Sequence, residues 1–329
     1  MSWHSGTYGL QGDFGDERPP LWPRLAAVVV VLAVAALGVR ACRTLDRETV
    51  DRRRTLVAAP EAGGHAAPAR ERAAPARLPP LPAETLPEGL RERVLRADAL
   101  AARADLPAAF EAYHEARTAD SNALARTELE ERIGALAFPL VVSRLPMRGK
   151  IPYTIQRGDS VSLIARRFGV TQEYLLRANG LANPDKIVVG RDLRVLDRPA
   201  FGIAVAKGER SLTVTLNGRF LKRYPVSVGR ADETPAGSFV VRSRIVHPAW
   251  WRTDGSAVPY GHPENILGTR WLGLEAAEGT PPVRGYGIHG TWEDGSIGRA
   301  ASAGCVRMRN ADVEELHLLV PIGTPVAIR

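Results

Sequence analysis

The chain has 329 residues, enough for about two folded domains of ordinary size. Its 44 Lys and Arg residues against 36 Asp and Glu give a net charge of +8, and a basic surface attracts anionic polymers in general. Only four of these basic residues are lysines and no basic stripe is interleaved with aromatic residues, so the charge does not indicate nucleic-acid binding. The two cysteines, Cys42 and Cys305, lie in unrelated segments, which excludes a disulfide framework.

Residues 21–41 are apolar except near their ends, which is marginally long enough for one membrane-spanning helix. Arg40 stands where a signal-peptide cleavage site would be expected, so we predict an uncleaved anchor at 21–41 behind a tail at 1–20. A removed signal peptide, and a lipoprotein modified at Cys42, are the alternatives.

The chain after the anchor changes composition twice. From Leu56 to Pro87 it contains Ala, Pro, Gly and Arg with scarcely a large apolar residue, so we expect a linker at 42–87. Apolar residues then recur at helical spacing, beginning with Leu90, Val94 and Leu95. This pattern predicts two or three short helices at 88–140, a spacer or packing element without chemical signature.

Residues 152–197 predict a small unit with the order strand, helix, helix, strand. The first strand is centred on Thr154, and Asp159 can cap a helix that runs to Phe168 and ends at Gly169. Thr171 can cap the second helix, which ends at Asn179-Gly180, and the last strand is Asp192 to Leu196.

This unit resembles a LysM module in the runs Tyr-Thr-Ile-Gln-Arg-Gly-Asp-Ser, Leu-Leu-Arg-Ala-Asn-Gly-Leu and Val-Gly-Arg-Asp-Leu-Arg-Val. The resemblance implies two helices packed on a two-stranded sheet and a ligand that is an N-acetylglucosamine-containing glycan. By motif position, the implied glycan-binding residues are Gly158, Asp159, Ser160, Asn179, Gly180 and Asn183. The alternative is a copy that has lost its ligand and only packs.

From Phe201 to the end the pattern predicts a mainly-β domain. Asn217-Gly218 between two alternating runs is a hairpin signal, because both turn positions need positive φ. Further predicted strands are Ser238–Val246, Tyr286–His289 and Pro325–Ile328. A helix is predicted at Ala311–Val320 with Asn310 as its cap.

His289 and Cys305 are the candidate base and nucleophile of an acyl-transfer site. Only a thiolate attacks, and a nearby imidazole or the Arg307 cation is expected to lower the thiol pKa. Small residues before the cysteine permit a tight turn with backbone N–H donors for an oxyanion. No acidic residue is placed to orient the base, so a backbone carbonyl near Gly290 is the candidate.

Other roles for the histidines and tryptophans compete with this interpretation. A zinc site of Cys305, His289 and either His247 or His262 lacks ligand spacing, so we expect no metal and no cofactor. The tryptophans at 250, 251, 271 and 292 are candidates for a substrate wall or for core packing. His317 is expected at the surface of the last helix.

The segment from His289-Gly290 to Ser302-Ala303-Gly304-Cys305-Val306-Arg307 resembles the signature of L,D-transpeptidases of the YkuD type, as does Thr-Pro-Ala-Gly-Ser-Phe at 234–239. Ala303 departs from the histidine of many members. The resemblance implies a cysteine acyltransferase domain at 201–329. Cys305 would attack the third residue of a peptidoglycan stem tetrapeptide, release D-Ala and pass the acyl group to an amine, with His289 moving the proton. Amides of Gly304 and Cys305 would hold the oxyanion, with Ser302, Gly290 and Arg307 as positioning residues.

The whole chain is thus expected to be a multidomain enzyme with an N-terminal transmembrane helix, a helical segment, a LysM module and a catalytic domain. Its expected partners are peptidoglycan stem peptides and glycan strands, and the membrane, but not nucleic acid. Arginines after the anchor favour a cytoplasmic C-terminal part, yet the implied substrate lies outside. We therefore expect a single-pass protein of the bacterial inner membrane whose catalytic domain is in the periplasm or faces the wall. An L,D-carboxypeptidase-type hydrolase and a non-catalytic wall tether are the alternatives.

Overall fold

A computed structural model describes residues 86–119, 123–230, 233–282, 285–302 and 304–329. The predicted tail and anchor at 1–41 and nearly all of the linker lie outside these ranges. Within them, none of the helices combines the length and the apolar character needed to cross a membrane.

Three helices form the first part of the described chain: α1 Glu88–Ala102, α2 Leu106–Ala119 and α3 Ala123–Val141. Leu129 and Ile133 of α3 are buried at helical spacing, which is the pattern that predicted these helices. The helices pack on one strand of the C-terminal domain, described below. The predicted segment 88–140 is therefore a packing element.

The second part has the predicted strand, helix, helix, strand order: β1 Lys150–Thr154, α4 Val161–Phe168, α5 Gln172–Ala178 and β2 Asp192–Leu196. β1 and β2 are antiparallel. Gly169 at φ 65° ends α4, and Thr171 caps α5 by accepting from the Tyr174 amide, as predicted. The predicted Asp159 cap is wrong: Ser160 caps α4, because the Asp159 carboxylate accepts from the Tyr153 hydroxyl and the Gln156 amide instead.

The C-terminal part is built on an eight-stranded mixed sheet in the order β13-β11-β10-β7-β14-β3-β4-β5. Its strands are β3 Phe201–Ala206, β4 Ser211–Leu216, β5 Arg219–Pro225, β7 Gly237–Val246, β10 Arg270–Ala276, β11 Gly287–His289, β13 Val306–Arg307 and β14 Pro325–Ile328. Two short pairs accompany it: β6 Val228–Gly229 with β12 Ala300–Ser302, and β8 Trp250–Trp251 with β9 Ala257–Val258. A 3-10 turn, Asp294–Ser296, and helix α6, Asn310–Leu319, complete the domain.

The predicted hairpin and helix of this domain are present with two differences. Asn217 and Gly218 both have positive φ, 52° and 75°, and join β4 to β5 as expected. The last helix begins one residue earlier than predicted, and Asn310 is not its cap: its side-chain oxygen accepts from the Thr269 amide. This contact ties the start of α6 to the start of β10.

Helix α3 packs along β5, which is the outer strand of the sheet. The buried Glu130 carboxylate forms ion pairs with Arg117 of α2 at 2.7 Å and with Arg223 of β5 at 2.6 Å. Arg219 of β5 makes two hydrogen bonds to Glu111, at 3.1 and 2.9 Å. Helices and sheet are therefore joined by charged groups as well as by apolar packing.

The βααβ unit contacts α6 of the C-terminal domain. The Thr171 hydroxyl donates to the Leu318 carbonyl, and Arg244 of β7 donates to the His317 carbonyl at 2.5 Å and lies 3.4 Å from Glu173 of α5. His317 is consequently buried, so its predicted surface position is wrong.

Candidate active site

The central sheet places Cys305, the residue immediately before β13, next to β11, which ends at His289. β11 and β13 are parallel, with Ile288 opposite Val306 and His289 opposite Arg307. Ile288 and Val306 are completely buried in the core. Because side chains alternate along a strand, Cys305, which is level with Gly287, belongs to the same face as His289. The Cys305 sulfur lies 3.8 Å from the Gly285 carbonyl, over the start of β11, so the predicted nucleophile and base share one region.

His289 is fixed by a backbone carbonyl. Its Nδ1 is 2.6 Å from the Gly290 carbonyl oxygen, and only 2% of the residue is exposed. With Nδ1–H donating, Nε2 is the nitrogen with a lone pair that can accept a proton. The Gly290 carbonyl is thus placed to orient the ring. Burial lowers the pKa of His289 to about 4, and the Gly290 carbonyl partly opposes that effect.

Gly290 also has a steric role. A Cβ on this residue would overlap the side-chain oxygen of Asn310 at the start of α6. A glycine is therefore required for the helix to approach the loop that follows His289.

A buried hydroxyl network holds the loop that carries Cys305. Ser302 donates to the Cys305 carbonyl at 2.6 Å and accepts from the Gly304 amide at 3.2 Å. Thr234, from the 234–239 motif, donates to the Gly304 carbonyl at 2.7 Å and accepts from the Gly229 amide at 2.7 Å. Gly304 has φ 113°, a conformation that favours glycine. These bonds make Ser302 and Gly304 positioning residues, while Ala303 lies outside the described residues.

The Gly304 amide differs from the sequence expectation. It was predicted to point toward an oxyanion, whereas it donates to the Ser302 hydroxyl. Sequence reasoning could not find this because it depends on the rotamer of a neighbouring side chain.

Burial raises the pKa of the Cys305 thiol, and the Gly287 amide and the Arg307 charge oppose that effect without overcoming it. The predicted lowering of this pKa is therefore wrong for the free protein. Together with the low pKa of His289, this makes the resting pair a neutral thiol and a neutral imidazole.

Arg307 is held by its backbone and has a buried side-chain nitrogen. Its amide and carbonyl pair with those of Ser227, both at 2.9 Å. Its Nε is buried, and among the described residues it has no hydrogen-bond partner. The residue therefore supports the loop through its main chain, and its guanidinium places positive charge near the thiol.

Several aromatic residues of this domain contact one another or His289, and the sequence left the tryptophans among them as candidates for a substrate wall or for core packing. Trp271 stacks on His289 with 5.8 Å between ring centroids. The His247 ring stacks on Tyr260 at 4.0 Å, and Tyr260 lies 6.0 Å from Trp292, which is half exposed. In the described part of the chain, no three His, Cys, Asp or Glu side chains are grouped so as to bind a metal.

The predicted glycan-binding residues of the βααβ unit fall into two groups. Gly158 and Gly180 are exposed and have positive φ, so they present backbone. The side chains of Asp159, Ser160, Asn179 and Asn183 each hold the local fold; Asn179, for example, donates to Leu175 and Arg194 carbonyls and accepts from the Arg194 amide. Exposed Val188 and Val189 lie in the loop before β2.

Comparison with known proteins agrees with both resemblances. The family model of the L,D-transpeptidase catalytic domain, YkuD, matches residues 200–328, and that of the LysM domain matches residues 153–195. The YkuD protein of Bacillus subtilis (strain 168), named as an L,D-transpeptidase, is 36% identical over 184 residues, which are 54% of this chain and 98% of that protein. YcfS of Escherichia coli (strain K12), also named as an L,D-transpeptidase, is 28% identical over 213 residues, 58% of this chain and 65% of that protein.

A solved L,D-transpeptidase from Mycobacterium smegmatis is 21% identical, with a TM-score of 0.33, over 43% of this chain and 64% of that chain. The long match to the Bacillus protein covers nearly its entire length. The chain therefore belongs to the YkuD family of L,D-transpeptidases and carries a LysM domain before its catalytic domain.

Proposed function

We propose that this protein is a peptidoglycan L,D-transpeptidase in which Cys305 is the nucleophile and His289 the general base. The observation that carries the proposal is the pairing of β11, which ends at His289, with β13, which begins directly after Cys305, together with the bond between Nδ1 of His289 and the Gly290 carbonyl. That bond leaves Nε2 to take the thiol proton.

In the first half-reaction the sulfur attacks the carbonyl of the third residue of a stem tetrapeptide as Nε2 takes its proton. The tetrahedral intermediate collapses with cleavage of the peptide bond to the terminal D-Ala. The imidazolium returns the proton to the leaving amine. A thioester on Cys305 and free D-Ala result.

In the second half-reaction an acceptor amine attacks the thioester. Nε2 takes a proton from the amine, the C–S bond breaks, and the thiolate is reprotonated. The product is an amide that links two stem peptides. The Cys305 thiol and the His289 imidazole are both neutral before the reaction. This favours transfer of the thiol proton to Nε2 as the sulfur attacks, because charge then separates only during the attack.

The oxyanion of each intermediate needs hydrogen-bond donors. The Cys305 amide is our candidate for one of them. The Gly304 amide would first have to leave the Ser302 hydroxyl, 3.2 Å away. Arg307, with its partner-free Nε and its charge near the thiol, either neutralises the oxyanion or meets a substrate carboxylate.

We further propose that the LysM domain binds the glycan strand mainly through backbone groups near Gly158 and Gly180. The four other predicted side chains already hydrogen-bond within the fold. We also propose that residues 21–41 anchor the chain in the inner membrane and that the catalytic domain acts on the outer side. Binding of the purified chain to insoluble peptidoglycan, compared with that of a Gly158→Trp variant, tests the proposed glycan binding by the LysM domain. The accessibility of the catalytic domain to protease in spheroplasts tests the proposed membrane orientation.

Mass spectrometry of muropeptides incubated with the full chain, wild type beside Cys305→Ala, tests the catalytic proposal. The expected result is loss of D-Ala and a new cross-linked mass with the wild type alone. Loss of D-Ala without cross-linked product would identify a hydrolase. Identical profiles for the two proteins, with no mass added to Cys305 by a carbapenem, would leave only a wall tether.

A further inference from the structure

Trp271 lies against the catalytic imidazole on the face of the sheet that carries the thiol. It is the direct cross-strand partner of His289 between β10 and β11. The two ring planes are inclined by 24° and their centroids are 5.8 Å apart, which is a stacked arrangement.

Two glycines provide the space for this indole. Gly273 of β10 pairs with Gly287 of β11. Gly273 lies two residues after Trp271, and Gly287 lies two residues before His289. A Cβ on Gly287 would lie 2.6 Å from Cζ2 of Trp271 and 2.8 Å from Cη2, and a Cβ on Gly273 would lie 2.9 Å from Nε1. Neither glycine has positive φ. What both glycines contribute to this site is therefore the absence of a side chain, which lets the indole lie flat on the sheet.

The polar surroundings of His289 come from other elements. Arg307 of β13 supplies the charge that acts on the ring, and Gly290 and Leu267 supply the backbone groups that hydrogen-bond it. Cys305 is the titratable neighbour on the β13 side. The α6 carboxylates Asp312 and Glu314 face Arg309 and Arg270, at 3.7 and 3.9 Å. The indole is thus an apolar wall beside a ring whose other neighbours are polar.

We infer that Trp271 is a positioning residue for His289: seated over Gly273 and Gly287, its indole holds the imidazole in one orientation and excludes water from one side of the ring. The inference rests on the proposed function for its catalytic meaning, since positioning matters only if His289 moves the proton. The hydrogen bond to Gly290 fixes one ring nitrogen, and the stacked indole limits rotation about that bond.

Removing the indole should rehydrate His289. The expected result is that the pKa of His289 rises from about 4 toward its ordinary 6.5. We expect this in Trp271→Ala, and also in Gly287→Ala, where a methyl group displaces the indole and shifts the Leu272 carbonyl without removing the indole. Trp271→Phe keeps a stacked ring and should restore most of the wild-type value.

The measurement is NMR titration of histidine 13Cε1 resonances in the full chain, with His289 assigned by its absence in His289→Asn. Trp251→Ala is the matched control, because that side chain is 71% exposed on β8. Unchanged titration of the buried His114 and His317 shows that a variant remains folded. If Trp271→Ala fails to fold, Trp271→Phe and Gly287→Ala decide the matter.

An unchanged His289 midpoint in folded Trp271→Ala and Gly287→Ala would overturn the inference, as would an equal shift in Trp251→Ala. The titration requires no activity, so it is independent of the muropeptide assay. A catalytically inert wild type with a shifted midpoint would refute the proposed function alone. An active enzyme with an unshifted midpoint would refute the role of Trp271 alone.

Discussion

Thr234→Val should destabilise the protein through the loop that carries Cys305. The hydroxyl is 1% exposed and bonds both to the Gly229 amide and to the Gly304 carbonyl. Valine has the same shape but leaves both buried backbone groups without a partner. Each unsatisfied group costs roughly 1–3 kcal/mol, so the free energy of unfolding should fall by about 2–6 kcal/mol. Because Gly304 precedes the nucleophile, the rate of Cys305 acylation by a carbapenem should fall as well.

Equilibrium urea denaturation of the full chain measures the first effect, and mass spectrometry of the acylated protein measures the second. Thr213→Val, at a half-buried position on β4 far along the sheet from this loop, is the matched control and should change stability by less than about 0.5 kcal/mol. Equal stability of Thr234→Val and wild type would refute the assignment of this hydroxyl as the brace of the loop.

Three further predictions concern protonation and the LysM fold. Carbapenem acylation of Cys305 should be nearly constant from about pH 8 to 5 and should fall as the pH drops through about 4, because only neutral His289 accepts the proton; a fall centred near pH 6.5 would contradict this. The folded-state pKa values of His114, His289 and His317 are about 4, below the ordinary 6.5. Between these values the unfolded chain binds more protons than the folded one, so the free energy of unfolding has its full value above pH 6.5 and decreases as the pH falls toward 4. With three such groups, urea denaturation should give a slope approaching about 4 kcal/mol per pH unit, and His317→Gln should reduce it by about a third. Asn179→Ala removes three hydrogen bonds, one within α5 and two that join α5 to β2, and should lower the free energy of unfolding by about 2–4 kcal/mol. Asn183→Ala, with one exposed bond, should have little effect.

Local signals predicted much of the fold. The Asn217-Gly218 hairpin, the Gly169 helix end and the Thr171 cap all depend on interactions within a few residues, and all are present. The candidate cysteine and histidine were found because their neighbours form a recognisable pattern. The structure then brought them together by pairing β11 with β13.

The errors come from side-chain contacts and burial that the local pattern does not show, and in one case from a glycine inside a strand. Asp159 was assigned as a cap, but Tyr153 on β1 binds its carboxylate. His317 was placed at the surface, but Arg244 of β7 covers it. Burial of Cys305 raises the pKa of the thiol, which the imidazole of His289 or the Arg307 cation was expected to lower. β10, a central strand, was missed because Gly273 interrupts its apolar pattern.

The packing of α3 on β5 determines which fragment of this enzyme should be chosen for expression. A fragment that starts at the LysM domain would keep both matched domains. It would lack Glu130 and Glu111, the ion-pair partners of Arg223 and Arg219. The edge strand β5 would then expose arginines without ion-pair partners and apolar side chains that are buried in the whole chain, including Phe220 and Leu221. Such a surface favours self-association. The smallest autonomous unit should therefore begin near residue 86, about 65 residues ahead of the point that domain boundaries alone would suggest.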